Sequence, residues 1–433
     1  MSIAIPSRST AVSPDAPSSY TVPLAIVTTL FFMWGFLTCL NDILVPHLKS
    51  IFDLNYQQVM LVQFAFFGAY FLFSIPSAKI IDWIGYQRSM VVGLLTMGAG
   101  AFLFVPAAKV PSFGFFLSAL IVLAAGITLL QVAANPYVTV LGPAKTASSR
   151  LNLTQAFNSL GTFLAPFFGG LLILSAAPKA MNEIRAMAPD ALQAYRLQEA
   201  ATVKTPYVGL GIALVVLAIA IGSFKLPKIP QAQHKVGEKV NDSIWRHPNL
   251  ILGAIGIFVY VGAEVAIGSF LVNYFSQPEI GGLTEKVAAS FVAFYWGGAM
   301  VGRFVGSGLL QKVNTGRLLG ICAVCAAALV TMSMIGTGHF AMYSIILVGF
   351  FNSIMFPSIF TLGVAELGPL TGDGSGIMIM AIVGGAIIPL AQGAIADRIG
   401  IHHAFFLPVI CYLYILYFAL SGSKPNSERH ARS

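Results

Sequence analysis

The sequence predicts an all-α integral membrane protein with twelve transmembrane helices in two six-helix bundles, and three observations carry that prediction. Of the 433 residues, 57% are hydrophobic and only 9% are charged, whereas a soluble domain carries about 25% charged residues. The apolar residues gather into twelve stretches, each near the ~20 residues that one bilayer crossing requires. Fragments also recur half a chain apart. Asn135–Pro136, Leu141–Gly142–Pro143 and Gly161 to Pro166 return as Phe356–Pro357, Leu367–Gly368–Pro369 and Gly384 to Pro389, with the prolines offset by 221 (357 − 136) and 223 (389 − 166).

The elements follow in order. Residues 1–21 are rich in Ser and Pro and lack the basic start and short apolar core of a signal peptide, so they read as a disordered cytoplasmic N-terminus and the first span is expected to be retained. The first bundle covers 22–226, with spans near 22–46, 57–81, 89–108, 112–141, 151–175 and 206–226. A polar stretch at 227–248, carrying Lys228, Lys235, Glu238, Lys239, Asp242 and Arg246, reads as a cytoplasmic linker. The second bundle covers 249–421, with spans near 249–275, 287–311, 317–336, 340–365, 374–396 and 403–421, and 422–433 is a basic cytoplasmic tail. Threading these spans places sixteen Lys and Arg on the face that holds both termini and eight on the other, which puts both termini in the cytoplasm. The net charge of +8 is then a topology signal and an attraction to the inner leaflet, with no nucleic-acid partner implied. All four cysteines fall inside spans, so neither a disulfide framework nor a metal site is expected.

Polar groups inside the spans point to function. Asp42 ends a charge-free run that begins at Ala16, and Glu264 is the only charge between Arg246 and Glu279. A carboxylate at membrane depth costs about 2.5–3.5 kcal/mol on insertion scales and commonly marks a substrate or ion pathway. The two acids lie 222 residues apart (264 − 42), close to the repeat offset, so each half is expected to offer one ion-coupling carboxylate from its first helix. Gln131 and Asn135 share one helical face at i, i+4, and Gln155 and Asn158 share another at i, i+3. Amides donate and accept together, which suits a neutral polyhydroxyl ligand. Asn41 and Asn273 complete the expected sugar-binding set with Glu264, and rings such as Trp34, Tyr70, Tyr260 and Tyr295 are available as walls. Gly302 and Gly306 suggest close helix packing, and Arg303 is expected to reach toward the cytoplasmic face. The loop from Ala78 to Arg88, with Asp82, Gly85 and Arg88, is the candidate conformational loop. No HExxH, GxSxG or GxxxxGK[ST] pattern supports an enzyme.

That loop partly resembles the G-x-x-x-D-R-x-G-R-R loop between the second and third helices of the major facilitator superfamily, with Ala78, Trp83 and Tyr86 as departures. The match is more specific at Leu40–Asn41–Asp42–Ile43–Leu44, at Ala133 to Pro143 and at Arg150 to Ser159, which resemble the fucose–galactose–glucose symporter branch. The resemblance implies alternating access and sugar uptake coupled to a cation. It makes the acid at Asp42 the protonation site and places Gln155 and Asn158 in the sugar cavity. The fucose permease pattern has Glu at the position of Gln131 and Gln at that of Glu264. This exchange resembles the glucose/galactose subgroup, as does Phe32–Met33–Trp34–Gly35–Phe36. No cofactor is expected beyond the co-transported cation, with a proton as the first reading and sodium as the alternative. Fucose, mannose and N-acetylglucosamine remain alternative substrates, a passive channel or sensor is the rival function, and a monomer in the bacterial inner membrane is expected.

Overall fold

The computed structural model describes residues 20–52, 56–109, 112–172, 183, 187–228 and 242–424. The expected linker falls mostly outside these, as do the ends of the chain. The first bundle is built from α1 (Thr21–Phe52), α2 (Tyr56–Ile84), α3 (Tyr86–Lys109), α4 (Phe113–Val140), α5 (Ala147–Leu172) and α6 (Pro189–Ser223). The second is built from α7 (Pro248–Phe275), α8 (Glu285–Leu309), α9 (Thr315–Ile335), α10 (Gly338–Asn352), α11 (Met355–Gly363), α12 (Thr371–Met380), α13 (Gly384–Ile399), α14 (Ile401–Ala404) and α15 (Phe406–Tyr417). Pairs α10–α11, α12–α13 and α14–α15 each follow one crossing, so twelve rods run through the described residues. Among the described residues, nine of these stretches are long and apolar enough to cross a membrane, and the part Thr21–Phe36 of the longer α1 is apolar as well. The remaining two rods, α5 and α8, fall short because they carry the polar groups described below.

Local chemistry explains the ends and breaks. Pro189 and Pro248 open α6 and α7 at the first helical position, where the missing N–H has no helical partner anyway. Gly85 turns the chain from α2 into α3 at φ 80°, a backbone region that favours glycine. The span expected as continuous over 340–365 is interrupted at Ser353–Ile354, and the one expected over 374–396 begins earlier and tightens into a 3₁₀ turn at Ala381–Val383. The first break follows from Pro357, which lacks the N–H that would bond the Ser353 carbonyl four residues back. Asn249, at the start of α7, donates to the carbonyls of Leu362, Gly363 and Ala365 at 3.1–3.3 Å and so satisfies the end of α11.

Within the first bundle α1 packs on α5, α2 on α4, and α3 on α4 and α6; in the second, α7 packs on α11, α13 and α15, and α10 on α8 and α9. The repeated glycines set two of these contacts. A Cβ on Gly161 would lie 2.2 Å from the Phe32 carbonyl oxygen of α1, and one on Gly384 would lie 2.0 Å from that of Phe258 in α7. Bare backbone is therefore required at both positions. This equivalence offsets the first helices by 226 (258 − 32), so Glu264 stands level with Thr38, one helical turn from Asp42.

The halves meet along α5–α8 and α2–α12, with α12 also against α4 and α11 against α5. Their bonds gather toward the face where α1 begins and α15 ends, the terminal face. There Ser148 Oγ lies 2.6 Å from Thr361 Oγ1, and Ser149 donates to the Ser307 carbonyl at 2.7 Å.

Candidate functional site

The amides of α4 and α5 form a buried cluster in the first half. Gln131 is 1% exposed and donates from Nε2 to the Tyr70 hydroxyl of α2 at 2.6 Å. Gln155 faces Asn135, with Nε2 3.5 Å from Oδ1, at the outer limit of a hydrogen bond. Gln131 Oε1 and Asn135 Nδ2 are buried without a hydrogen-bond partner. One acceptor and one donor thus stand ready for a ligand or water. Asn158 is placed differently, donating from Nδ2 to the Phe31 carbonyl at 2.8 Å and tying α5 to α1. Asn41 and Asp42 ride on α1, but their side chains lie outside the described residues.

Glu264 sits in a second cluster, built by α7, α8, α10 and α15. Tyr260, one turn earlier on α7, donates to Glu264 Oε1 at 2.8 Å and lies 3.0 Å from the Asn352 carbonyl at the break after α10. Asn352 Nδ2 donates to the Tyr295 hydroxyl at 2.9 Å, and Tyr412 donates to Asn352 Oδ1 at 2.8 Å. Arg303 Nη2 approaches Glu264 Oε1 at 3.8 Å, an ion-pair distance, and Nε donates to the Ser353 carbonyl freed by Pro357 at 3.3 Å. Its Nη1 crosses to Ser159 Oγ in the first half. The guanidinium is therefore taken up inside the protein rather than sent to the cytoplasmic face, because a carboxylate and an orphaned carbonyl are within its reach. Asn273, also on α7, is exposed and joins neither cluster.

The conformational loop is assembled differently from its sequence pattern. Asp82 stands beside Gly372 at the start of α12, where a helix N-terminus favours a negative charge. The cation there is Lys79, 3.6 Å from Asp82 and 2.9 Å from Asp373 across the seam, while Arg88 is exposed on α3. Sequence reasoning missed Arg303, Ser159, Asn352 and Tyr412 as partners. Arg303 carried a signal, since any charge within a span is a functional candidate. Asn352 and Tyr412 carried none, because only folding brings them together.

Residues 25–382 match the Major Facilitator Superfamily. The chain belongs to that superfamily. Within it, the chain is 51% identical to a glucose/galactose transporter of Brucella abortus over 95% of its own length and 96% of the relative's. It is 36% identical to the L-fucose-proton symporter of Escherichia coli, covering 94% and 95%. Among solved structures, the major facilitator transporter FucP in the outward conformation superposes with a TM-score of 0.87 at 34% identity, over 94% of this chain and 99% of that one. The two bundles described above are thus the two halves of a major facilitator fold, and both polar clusters face elements of the inter-half seam.

Proposed function

We propose that this protein imports a neutral hexose of the glucose/galactose type across the bacterial inner membrane, by proton symport and alternating access, as a monomer with both termini in the cytoplasm. The observation that carries the reading is the buried amide cluster of Gln131, Asn135 and Gln155, whose unmatched acceptor and donor suit sugar hydroxyls. Similarity to sugar transporters over almost the whole chain supports it. Asp42 takes the proton from the outer side, and neutralisation removes the cost of carrying its charge through the occluded state. Glu264 contributes from the opposite half, as a sugar ligand or as a second coupling group. With the termini inside, the bonded seam is the closed inner gate.

The test is uptake by the purified protein in proteoliposomes under an imposed proton gradient at constant sodium, and then under the reverse condition. Labelled glucose and galactose should accumulate only in the first, with fucose, mannose and N-acetylglucosamine as competitors. Accumulation driven by sodium alone would replace the proton, and equilibration without accumulation under either gradient would reject symport.

A further inference from the structure

Arg303 stands six residues before the end of α8 at Leu309, about 9 Å of helix from the terminal end. Its side chain is 15% exposed and that of Glu264 is 12% exposed. Two groups of its own half hold it, the Glu264 carboxylate at 3.8 Å and the Ser353 carbonyl at 3.3 Å. Among the described residues, the Arg303 side chain itself makes one bond across the seam, to Ser159. On the same stretch of α8, the Arg303 carbonyl accepts from Asn152 Nδ2 at 2.7 Å, and Phe304 packs edge-on against Phe157 at 5.9 Å. A Cβ on Gly306 would lie 2.2 Å from Ile354 Cγ2 and 3.1 Å from Asn152 Nδ2, so the bare backbone there serves the packing on Ile354 first and eases the approach of Asn152.

We propose that Arg303 is a positioning residue that fastens the two halves at the level of the amide cluster, and that release of its bond to Ser159 is part of opening the terminal end. The proposal rests on the transporter reading above. The arrangement suits a bond that must break and re-form. The guanidinium keeps its counter-ion and one carbonyl when α5 moves away, so no bare charge is left in the membrane interior. Ser159 donates to the Gln155 main-chain carbonyl at 3.2 Å and so sits one turn from the Gln155 amide on the same helix, α5. A displacement of α5 as a rod therefore moves the Gln155 amide and the far end of the fastener together.

The experiment reads gate opening without sugar. Ser375, fully buried where α12 meets the Val132 carbonyl of α4, is replaced by Cys after Cys39, Cys322, Cys325 and Cys411 have been changed to Ser. The rate of alkylation by a membrane-impermeant maleimide is then measured from the terminal face. Ser159→Ala should raise that rate roughly tenfold, the ratio for one lost charge-assisted bond, with little change in thermal unfolding. Arg303→Gln should raise it as much or more, but it also strands Glu264, so Ser159→Ala is the deciding variant. Parent-like labelling in the Ser159→Ala protein overturns the proposal even if transport is intact. Faster labelling in a protein whose parent neither binds nor moves hexose would sustain the fastener and overturn the transporter reading alone.

Discussion

Gln131 uses its amide nitrogen on Tyr70 and leaves its carbonyl oxygen buried and unmet, and Asn135 leaves its nitrogen in the same condition. Each such atom costs about 1–3 kcal/mol if nothing fills it, so an occupant that both donates and accepts is favoured there, and under the proposed function a sugar hydroxyl fits both needs. Gln131→Leu should weaken hexose binding by about 1–3 kcal/mol, roughly five- to 150-fold in Kd, as measured by calorimetry on the detergent-solubilised protein. Asp42→Asn should abolish uphill accumulation while sparing counterflow exchange, because a permanently neutral group still allows the loaded carrier to occlude. Sustained accumulation in that variant would remove Asp42 from the coupling step. Glu264→Gln leaves Arg303 without its counter-ion, with only the Ser353 carbonyl and the Ser159 hydroxyl to hold it. Sugar affinity or accumulation should fall, and full retention of both would sink the assignment of Glu264 to the site.

At the scale of elements, the repeated prolines explain why polar groups gather where they do. Pro136 denies the Val132 carbonyl its helical donor, and Ser375 of the opposite half donates to it at 3.0 Å. Pro357 does the same to the Ser353 carbonyl, and Arg303 fills that one. In a membrane interior such carbonyls need a protein partner, so each break becomes an attachment point at the seam. The glycines of α5 and α13 do the complementary job of letting helices touch. Gly161→Ala forces a Cβ to within 2.2 Å of the Phe32 carbonyl oxygen. It should destabilise the fold by about 1–3 kcal/mol, seen as a lower unfolding temperature in detergent.

Across the whole molecule, an exposed ion pair and a deeper charge-assisted hydrogen bond both join the two halves, and burial decides which matters more. Lys79 is 51% exposed and its pair with Asp373 sits at the membrane surface, where such pairs contribute about 0.2–1 kcal/mol and are screened by salt. Lys79→Ala should therefore relax the gate only slightly, with the effect fading at high ionic strength. The exchanged pair Lys79→Asp with Asp373→Lys should restore the parent alkylation rate at Ser375→Cys. The Arg303 contacts lie deeper and should be nearly insensitive to salt.

The sequence by itself determined the fold class and the residue types of the site. Charge-free stretches about 20 residues long can cross a bilayer only as helices, and amides or acids inside them need a purpose. It also pointed to the repeat, because proline and glycine leave a mark that packing cannot hide. Register was less legible: the offset of 222 paired Glu264 with Asp42, whereas the Gly161 and Gly384 contacts place it a turn away. Only the tertiary structure decided which amides meet and which stay open, that Asn158 serves the backbone of α1 while Asn273 stands exposed, and that Lys79 and not Arg88 faces Asp373. It alone turned Arg303 from a surface-seeking cation into a link between halves. The physical reason is reach, since a side chain's role depends on which donors and acceptors lie within about 3 Å of it after folding, and residues as distant in sequence as Ser159 and Arg303 share no local signal.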